Sequence, residues 1–214
     1  MCIRDSGIPD FRSAQGIYEK PYPHPPEQMV SHSFFLQHPQ EFFRFYRAEM
    51  LFPQAIPNAA HLALAKLEQQ GRLTAVITQN IDGLHQAAGS RTVLELHGSV
   101  HRNFCMQCGA FYSLDQILEQ QGVPYCTCGG IIKPDVVLYE EMLDDAVLEQ
   151  AVQYISQADT LIVGGTSLAV YPAAGLLRYF HGDTLVVINL SPTPADNRAD
   201  LLIRERIGAV MEQL

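Results

Sequence analysis

No run of about eighteen apolar residues, the length needed to span a bilayer, occurs in the sequence. The N-terminal stretch MCIRDSGIPDF also lacks the apolar core of a secretory signal peptide. We therefore expect a cytoplasmic protein that has no membrane partner.

Basic residues are scarce: 14 Lys and Arg stand against 23 Asp and Glu, which gives a formal net charge of -9. Binding to nucleic acid requires clustered Lys and Arg, so nucleic acid is not expected as a main partner. An acidic surface suits basic peptides, although many cytosolic proteins are simply acidic. With 47% hydrophobic and 17% charged residues, the 214-residue chain has the composition of a folded domain that can carry a smaller one.

Cysteine is also rare, yet four of the five cysteines form two tight pairs, Cys105-x2-Cys108 and Cys126-x-Cys128. Two thiolates a few residues apart can occupy one edge of the tetrahedron that zinc prefers, so the pairs predict a zinc site. The alternatives are two disulfides or four unrelated buried thiols. Four sulfur ligands leave no position for water or substrate, which makes the predicted zinc structural. Thiols that bind metal also fit a reducing compartment.

Short β-branched segments predict buried strands of a parallel sheet at residues 73–78, 92–96, 160–165 and 184–190. Helical patterns alternate with them: Asn58 and Asp144 are predicted N-caps, Gly71 ends the first helix, and Pro172 opens a third. This alternation indicates an α/β fold with a doubly wound sheet. The segment 18–39, rich in Pro and His, is predicted to be a long ordered loop.

The apolar periodicity fades around the cysteine pairs, which indicates an insertion with its own organisation. We predict a small zinc-binding module at residues 102–133. It interrupts a Rossmann-like parallel sheet domain made of residues 1–101 and 134–214.

Ligands of open α/β sheets bind beyond the carboxyl ends of the strands, and polar residues follow each predicted strand there. They are QNIDG at 79–83, His97, GGTS at 164–167, and Asn189. The GGTS turn could cradle a phosphate or be an ordinary strand-to-helix turn. His97 could be a general base or a structural residue, and Asn80 and Asp82 could cap the following helix.

Together these motifs resemble the sirtuin family of NAD-dependent protein lysine deacylases. SGIPDFRS at 6–13, TQNID at 78–82, LHG at 96–98, the cysteine pairs, GTSL at 165–168 and Asn189 occur in the order seen in sirtuins. The resemblance implies that NAD and a structural Zn²⁺ are the cofactors and that acetylated lysine in a protein or peptide is the substrate. Both NAD and the peptide would lie in the cleft between the two domains.

The resemblance also implies roles for individual residues. The cofactor would be bound by Phe11, Arg12, Gln79, Asn80, Ile81, Asp82, Gly165, Thr166, Ser167, Asn189, Arg206 and Ile207. The substrate would be bound by Val136, Val137, Leu138, Tyr139, Glu140, Ala169 and Val170. The catalytic residues would be His97 and Asn80.

In the chemistry that the resemblance implies, the acyl-lysine carbonyl oxygen attacks the ribose carbon as nicotinamide leaves. His97 then acts as general base on a ribose hydroxyl, which an imidazole with a pKa of about 6.5 can do at neutral pH. The products would be free lysine, nicotinamide and O-acetyl-ADP-ribose. Residues 133–140 would pair with the peptide backbone as an added strand, or form an ordinary buried strand.

Two departures from sirtuins bear on activity. Sirtuins that prefer acidic acyl groups carry a Tyr followed three positions later by Arg, whereas here Tyr46 is followed by Glu49, so we expect deacetylation over desuccinylation.

Sirtuins also precede the SGIPDFRS stretch with a first strand and a Gly-Ala-Gly-x-Ser loop. Only MCIRD stands there in this sequence, with Ile3 in place of the loop serine. We therefore expect neighbouring strands to lack partners, and NAD to bind poorly or the fold to be marginal.

Two other functions stay open on the same sequence. One is a degenerate acetyl-lysine-binding module with impaired NAD binding, and the other is a protein ADP-ribosyltransferase.

Overall fold

The computed structural model describes residues 3–9, 16–17 and 21–213. Phe11 and Arg12, which the sequence places at the cofactor, lie outside the described residues. The strands are β1 (Val76–Thr78), β2 (Val93–Glu95), β3 (Gly98–Cys105), β4 (Phe111–Ser113), β5 (Ile132–Val136), β6 (Thr160–Gly164), β7 (Thr184–Ile188) and β8 (Leu201–Ile203). The α-helices are α1 (Pro26–Met29), α2 (His32–Gln37), α3 (Pro39–Glu49), α4 (Ala59–Gln69), α5 (Leu84–Ala87), α6 (Leu114–Glu119), α7 (Asp145–Gln157) and α8 (Ile207–Met211). Short 3₁₀-helices span Ile3–Ser6, Ala173–Tyr179 and Asp196–Arg198.

The parallel strands form two separate sheets, one with the order β1-β2 and one with the order β6-β7-β8. Leu185 and Val187 of β7 pack on one face with α7 and the 3₁₀-helix Ala173–Tyr179. Ile188 packs on the other face with α4 and α8. Helices therefore cover both faces, and the prediction of an α/β fold with a parallel sheet is confirmed.

The predicted caps explain where two long helices begin. The Asn58 side chain accepts from the amide of Ala60 at 3.0 Å, and the ring of His61 accepts from the Asn58 amide at 3.1 Å, which forms a capping box at the start of α4. Asp144 accepts from the Val147 amide at 3.0 Å at the start of α7. The helix expected after Pro172 forms as a 3₁₀-helix.

The prediction of a long loop at 18–39 is wrong for its described part, which contains α1, α2 and the first residue of α3. Pro26 and Pro39 stand in the first turns of α1 and α3, where a missing amide costs nothing. Ser31 caps α2 by accepting from the Phe34 amide at 3.2 Å. These helices bury an aromatic cluster of Phe34, Phe35, Phe42, Phe43, Phe45 and Tyr46.

The third sheet is antiparallel, with the order β4-β3-β5. It runs from Gly98 to Val136 and so extends past both limits of the zinc module expected at residues 102–133. Val100 and Val136 pack into the aromatic cluster of α2 and α3. The helices near the N-terminus and the antiparallel sheet therefore share one core.

β1 and β6 are edge strands of their separate sheets. β6 is an apolar run, yet Ile162 at its centre is 39% exposed, whereas Val187 in the middle strand β7 is 0% exposed. Within the described residues, no helix is long and apolar enough to cross a bilayer.

Candidate functional site

The four paired cysteines converge on one point. Their sulfur atoms all lie within 4.8 Å of one another, with separations of 3.4 Å for Cys105–Cys128, 3.6 Å for Cys108–Cys126 and 3.5 Å for Cys108–Cys128. These distances are far too long for disulfides. They are close to the spacing of about 3.8 Å between sulfurs in a tetrahedral site with Zn–S bonds of about 2.3 Å. The arrangement therefore fits a structural zinc with four thiolate ligands.

The backbone around the cysteines is shaped for this arrangement. Gly109 and Gly129 follow the two pairs with φ of 72° and 88°, a region that glycine adopts without strain. Their amides donate to the carbonyls of Cys105 and Cys126, both at 2.9 Å, and so close the two turns. A Cβ on Gly130 would lie 2.7 Å from the Cys105 sulfur, so the turn leaves room only for glycine beside that ligand.

A cavity with a volume of about 1480 Å³ runs along β1 and β6, from Thr74 and Thr160 near their amino ends to the loops at their carboxyl ends, and is called the cleft below. Most of the site residues that were predicted from the sequence line it. They are Gln79, Asn80, Ile81, Asp82, His97, Val136, Val137, Leu138, Tyr139, Glu140, Gly165, Thr166, Ser167, Val170, Asn189, Arg206 and Ile207. Ala169 is exposed and is not part of this lining.

His97 follows β2 and lines the cleft. Its Nδ1 lies 3.0 Å from the carbonyl oxygen of Gln79. Because a carbonyl only accepts, Nδ1 carries the proton and donates it, which leaves the lone pair of the neutral ring on Nε2. Burial lowers the pKa of His97 below its usual value, and the bond to Gln79 opposes this only in part. The imidazole is therefore neutral at pH 7 and can accept a proton at Nε2.

The loop after β1 is tied to the loop after β6. Gln79 Nε2 donates to the Thr166 hydroxyl at 3.4 Å, and the same hydroxyl accepts from the Leu168 amide at 3.1 Å. The Asn80 amide donates to the Thr78 hydroxyl at 3.0 Å, so the backbone is fixed where the Asn80 side chain begins. These contacts span the gap between the two parallel sheets at the mouth of the cleft.

Asp82 has the capping role that the sequence left open. Its carboxylate accepts from the Leu84 amide at 3.0 Å at the start of α5. Burial raises the pKa of Asp82, the Glu95 carboxylate adds to the rise, and the bond from Leu84 opposes it. Capping does not remove Asp82 from the cleft, because the residue also contributes to its lining.

The glycine turn after β6 allows a close approach of α8. A Cβ on Gly164 would lie 2.3 Å from the Cδ1 atom of Ile207, and Gly165 has a φ of 58°. On the neighbouring strand, the Asn189 side chain donates to the Ser191 carbonyl at 2.7 Å. Arg204 donates to the carbonyl oxygens of Asn189 and Ser191 at 3.2 and 2.9 Å and fixes the turn after β7.

The segment from Val136 to Glu140, called the docking segment below, forms another wall of the cleft. The Val137 amide donates to the His97 carbonyl at 3.1 Å, and the Tyr139 amide donates to the Val30 carbonyl at 3.1 Å. No hydrogen bond to the Val137 carbonyl oxygen occurs within the described residues. The docking segment thus offers a main-chain acceptor close to His97.

Arg102 is a residue that the sequence reasoning missed. Its guanidinium joins Glu95 of β2 and Asp135 of β5, each at 2.7 Å. The Glu95 side chain is only 6% exposed, so its charge needs this partner. No spacing in the sequence predicts these two ion pairs, because Arg102, Glu95 and Asp135 come from three different strands.

Tyr46 and Glu49 occupy different environments. Tyr46 is 0% exposed and stacks on Phe42, with ring centroids 5.7 Å apart, so it belongs to the aromatic core. Glu49 lines the cleft.

Comparison with known proteins agrees with this geometry. The model of the Sir2 family matches residues 3–172. An NAD-dependent protein deacetylase of Clostridium acetobutylicum is 58% identical over 97% of this chain and 86% of its own length. A solved structure of Sir2 with a p53 peptide and NAD+ is 43% identical, covers 97% of this chain and 85% of its own, and superposes with a TM-score of 0.84. Another, with an inhibitor, 2'-O-acetyl-ADP-ribose and a deacetylated p53 peptide, is 40% identical over 97% of this chain and 86% of its own, with a TM-score of 0.84. The chain belongs to the Sir2 family.

Proposed function

We propose that the chain is an NAD-dependent protein lysine deacetylase that releases nicotinamide and O-acetyl-ADP-ribose. Deacetylase activity is the activity named for its relative with 58% identity. The observation that carries the proposal is the placement of His97: it lines the cleft together with the two cofactor loops and the docking segment, and its Nε2 has no hydrogen-bond partner among the described residues.

In this proposal the cofactor lies along the ends of the parallel strands. Its nicotinamide end is held by Gln79, Asn80, Ile81 and Asp82. Its phosphate and ribose are held by Thr166, Ser167 and Asn189, and the site is completed by Gly165, Arg206 and Ile207. The roles of Phe11 and Arg12 are proposed from the sequence alone. The clash that a Cβ on Gly164 would make with Ile207 shows how closely the turn after β6 is packed. When bound, NAD supplies an electrophilic ribose carbon and nicotinamide as the leaving group.

The residues of the chain then act on protons and on position. His97 accepts a proton from a ribose hydroxyl at Nε2, while its Nδ1–H stays on the Gln79 carbonyl, so the ring does not rotate. Asn80 is the second proposed catalytic residue, because its backbone is fixed by Thr78 and it lies on the cleft. The walls of the cleft exclude water that would otherwise hydrolyse the cofactor.

The substrate peptide lies along the docking segment, with Ala169 and Val170 on its other side. The Val137 carbonyl, which accepts no hydrogen bond from the part of the chain that the structure describes, can accept the N–H of the acyl-lysine amide. Glu49 on the cleft wall would repel a second carboxylate, so we expect acetyl-lysine to be preferred over succinyl-lysine. Comparable turnover of matched acetyl and succinyl peptides would contradict that preference.

The zinc has a structural role in this proposal, because four sulfurs complete its coordination. Residues 102–133 are proposed as the zinc module, with residues 1–101 and 134–214 as the Rossmann-like domain. Free thiols in two metal-binding pairs fit the cytoplasm, which we propose as the location. The net charge of -9 favours peptides over nucleic acid as partners.

The test is to incubate the protein with NAD and an acetyl-lysine peptide and to identify all products by mass. We expect nicotinamide and O-acetyl-ADP-ribose, formed only when the peptide is present. His97→Ala should lower the rate by about 100-fold or more, whereas the exposed His181→Ala should leave it unchanged. Peptide binding without products would instead indicate a binding module, and ADP-ribose attached to protein would indicate a transferase.

A further inference from the structure

A partly buried carboxylate outside the predicted site residues organises the docking segment. Glu141 accepts three hydrogen bonds from three parts of the chain: from the Leu138 amide at 2.8 Å, from Lys133 Nζ at 3.0 Å and from His32 Nδ1 at 2.7 Å. Its side chain is 19% exposed, and that of Lys133 is 18% exposed. Burial acts to raise the pKa of Glu141, but these three donors hold it below its usual value, so the group is a carboxylate at neutral pH.

Lys133 extends this network along the docking segment. Besides Glu141, its ammonium donates to the carbonyl oxygens of Val136 at 3.0 Å and Pro134 at 3.2 Å. The peptide plane between Val136 and Val137 is therefore held on both sides, by Lys133 at the carbonyl and by His97 at the amide. These contacts fix the chain that leads into Val137.

The next peptide plane contains the group that faces the substrate. A trans peptide bond keeps the Val137 carbonyl and the Leu138 N–H in one plane and pointing in opposite directions. Glu141 holds the Leu138 N–H, so it also determines where the Val137 carbonyl points. That carbonyl has no donor within the described residues, and Val137 lines the cleft.

We propose that Glu141 is a positioning residue for the substrate: by holding the Leu138 N–H, it directs the Val137 carbonyl at the N–H of the bound acyl-lysine. The inference rests on the proposed function, since it requires an acyl-lysine peptide in the cleft. Lys133 and His32 assist by keeping the Glu141 carboxylate ionised and in place. Glu141 acts through the backbone, by orienting the Val137 carbonyl.

The experiment measures binding rather than turnover. Two fluorescent peptides are compared by anisotropy, one with acetyl-lysine and one in which a methylene replaces the side-chain N–H, giving a ketone of the same shape. We expect the wild-type protein to bind the acetyl-lysine peptide about 10-fold more tightly than the ketone, the value of one hydrogen bond of about 1.4 kcal/mol. In Glu141→Met this preference should fall to about 2-fold or less, because the side chain no longer accepts from the Leu138 N–H and the Val137 carbonyl is not held in direction. In Glu141→Gln, whose side-chain oxygen still accepts from the Leu138 N–H, most of the preference should remain.

Controls separate positioning from general loss of structure. Glu149→Gln, on the exposed face of α7, should keep the full preference. Zinc content and the thermal midpoint are measured for each protein, and Glu141→Gln is the conservative variant that keeps an acceptor for the Leu138 N–H. Equal weakening of both peptides in Glu141→Met would mean a merely structural role and would overturn the inference.

Failure of this inference and failure of the proposed function give different results in these measurements. A wild-type protein that turns over acetyl-peptide but shows no preference over the ketone overturns this inference alone. A preference without turnover supports Glu141 as a positioning residue and contradicts the deacetylase proposal. Absence of peptide binding in the wild-type protein overturns both.

Discussion

The antiparallel sheet β3–β5 with its four cysteines is called the metal lobe here. It is more completely packed than the parallel sheets around the cleft. In the metal lobe Cys105, Cys126, Ile117 and Ile132 form a compact cluster with at most 6% exposure. Around the cleft, β1 and β6 end their sheets as edge strands, and Ile162 of β6 is 39% exposed. A metal with four ligands can stabilise a small sheet that has little apolar core of its own.

The cleft side cannot be closed in the same way, because cofactor and peptide need the space between the strand ends. Its order comes from contacts between loops that are distant in the chain, such as Gln79 with Thr166 and His97 with the Gln79 carbonyl. The metal lobe therefore depends on its zinc, whereas the cleft side depends on contacts between loops that leave the cleft open. Four changes test this division.

Removing the zinc should have the largest effect, because the metal lobe would lose the bonds that hold its two turns together. Cys126→Ser or treatment with a strong chelator should unfold β3–β5, a loss on the order of 10 kcal/mol in small zinc domains. Deacetylation should disappear with it, although His97 is unchanged. Amide hydrogen exchange should show β3–β5 exposed while β7 stays protected.

Cys2→Ser is the matched control, since Cys2 is the one cysteine outside the two pairs. It should keep both the metal and the activity. If β3–β5 stays protected in the zinc-free protein, the metal lobe does not depend on its metal.

Gly98 joins the metal lobe to the cleft, and Gly98→Ala should be the next most damaging change. Gly98 has a φ of 73°, and a Cβ there would lie 1.9 Å from the Asp135 carbonyl oxygen. Gly71→Ala is the matched control, because its φ of 70° carries the same backbone strain but no atom lies within 4 Å of the added Cβ. Urea unfolding should show a cost of about 1 kcal/mol for Gly71→Ala and at least about 2 kcal/mol more for Gly98→Ala. Equal costs would show that β3 and β5 can move apart freely.

The two regions also differ in how well the sequence predicts them. The spacing of the cysteines predicts the metal site, and the residue types of Asn58 and Asp144 predict the starts of two helices. Both predictions succeed because the contacts involved join residues close together in the chain. The strand ends that carry His97 and Asn189 could be predicted because apolar runs mark parallel strands and the family motifs follow them. The rest depends on tertiary contacts: His32 and Glu141 lie 109 residues apart, and Arg102 meets Asp135 across 33. The helices between residues 26 and 39 could not be predicted from composition, because a proline in a helix's first turn looks the same in the sequence as a proline in a loop.

Acid should weaken the cleft side through a pair of buried histidines. His61 and His85 are 0% and 3% exposed, with ring centroids 4.7 Å apart, between α4 and α5. Burial lowers the pKa of His61 to about 3, with a further contribution from His85, and lowers that of His85 to about 4. Below pH 6.5 the unfolded chain binds more protons than the folded one, so the free energy of unfolding should fall as the pH falls from about 6.5 to 4.

Each of the two groups contributes a slope of up to about 1.4 kcal/mol per pH unit. His85→Phe keeps a ring in place and should reduce the slope measured by exchange of the α4 amides, whereas the exposed His181→Gln should not. An unchanged slope in His85→Phe would mean that other groups cause the acid sensitivity of this side. Exchange within α4 is the right measurement, since protonation of zinc-bound thiolates would affect the metal lobe in the same pH range.

The smallest expected effect is a difference in stability between the central strand and the edge strand of one sheet on the cleft side. Val187→Ala in β7 removes two methyl groups from a fully buried position and should cost about 2 kcal/mol. Ile162→Ala in β6 removes a larger group, yet it should cost about 1 kcal/mol or less, because 39% of the residue is already exposed to water. Urea midpoints of the two variants give the comparison. A larger loss of stability in Ile162→Ala than in Val187→Ala would mean that β6 is covered in solution. The cleft side would then be packed as completely as the metal lobe.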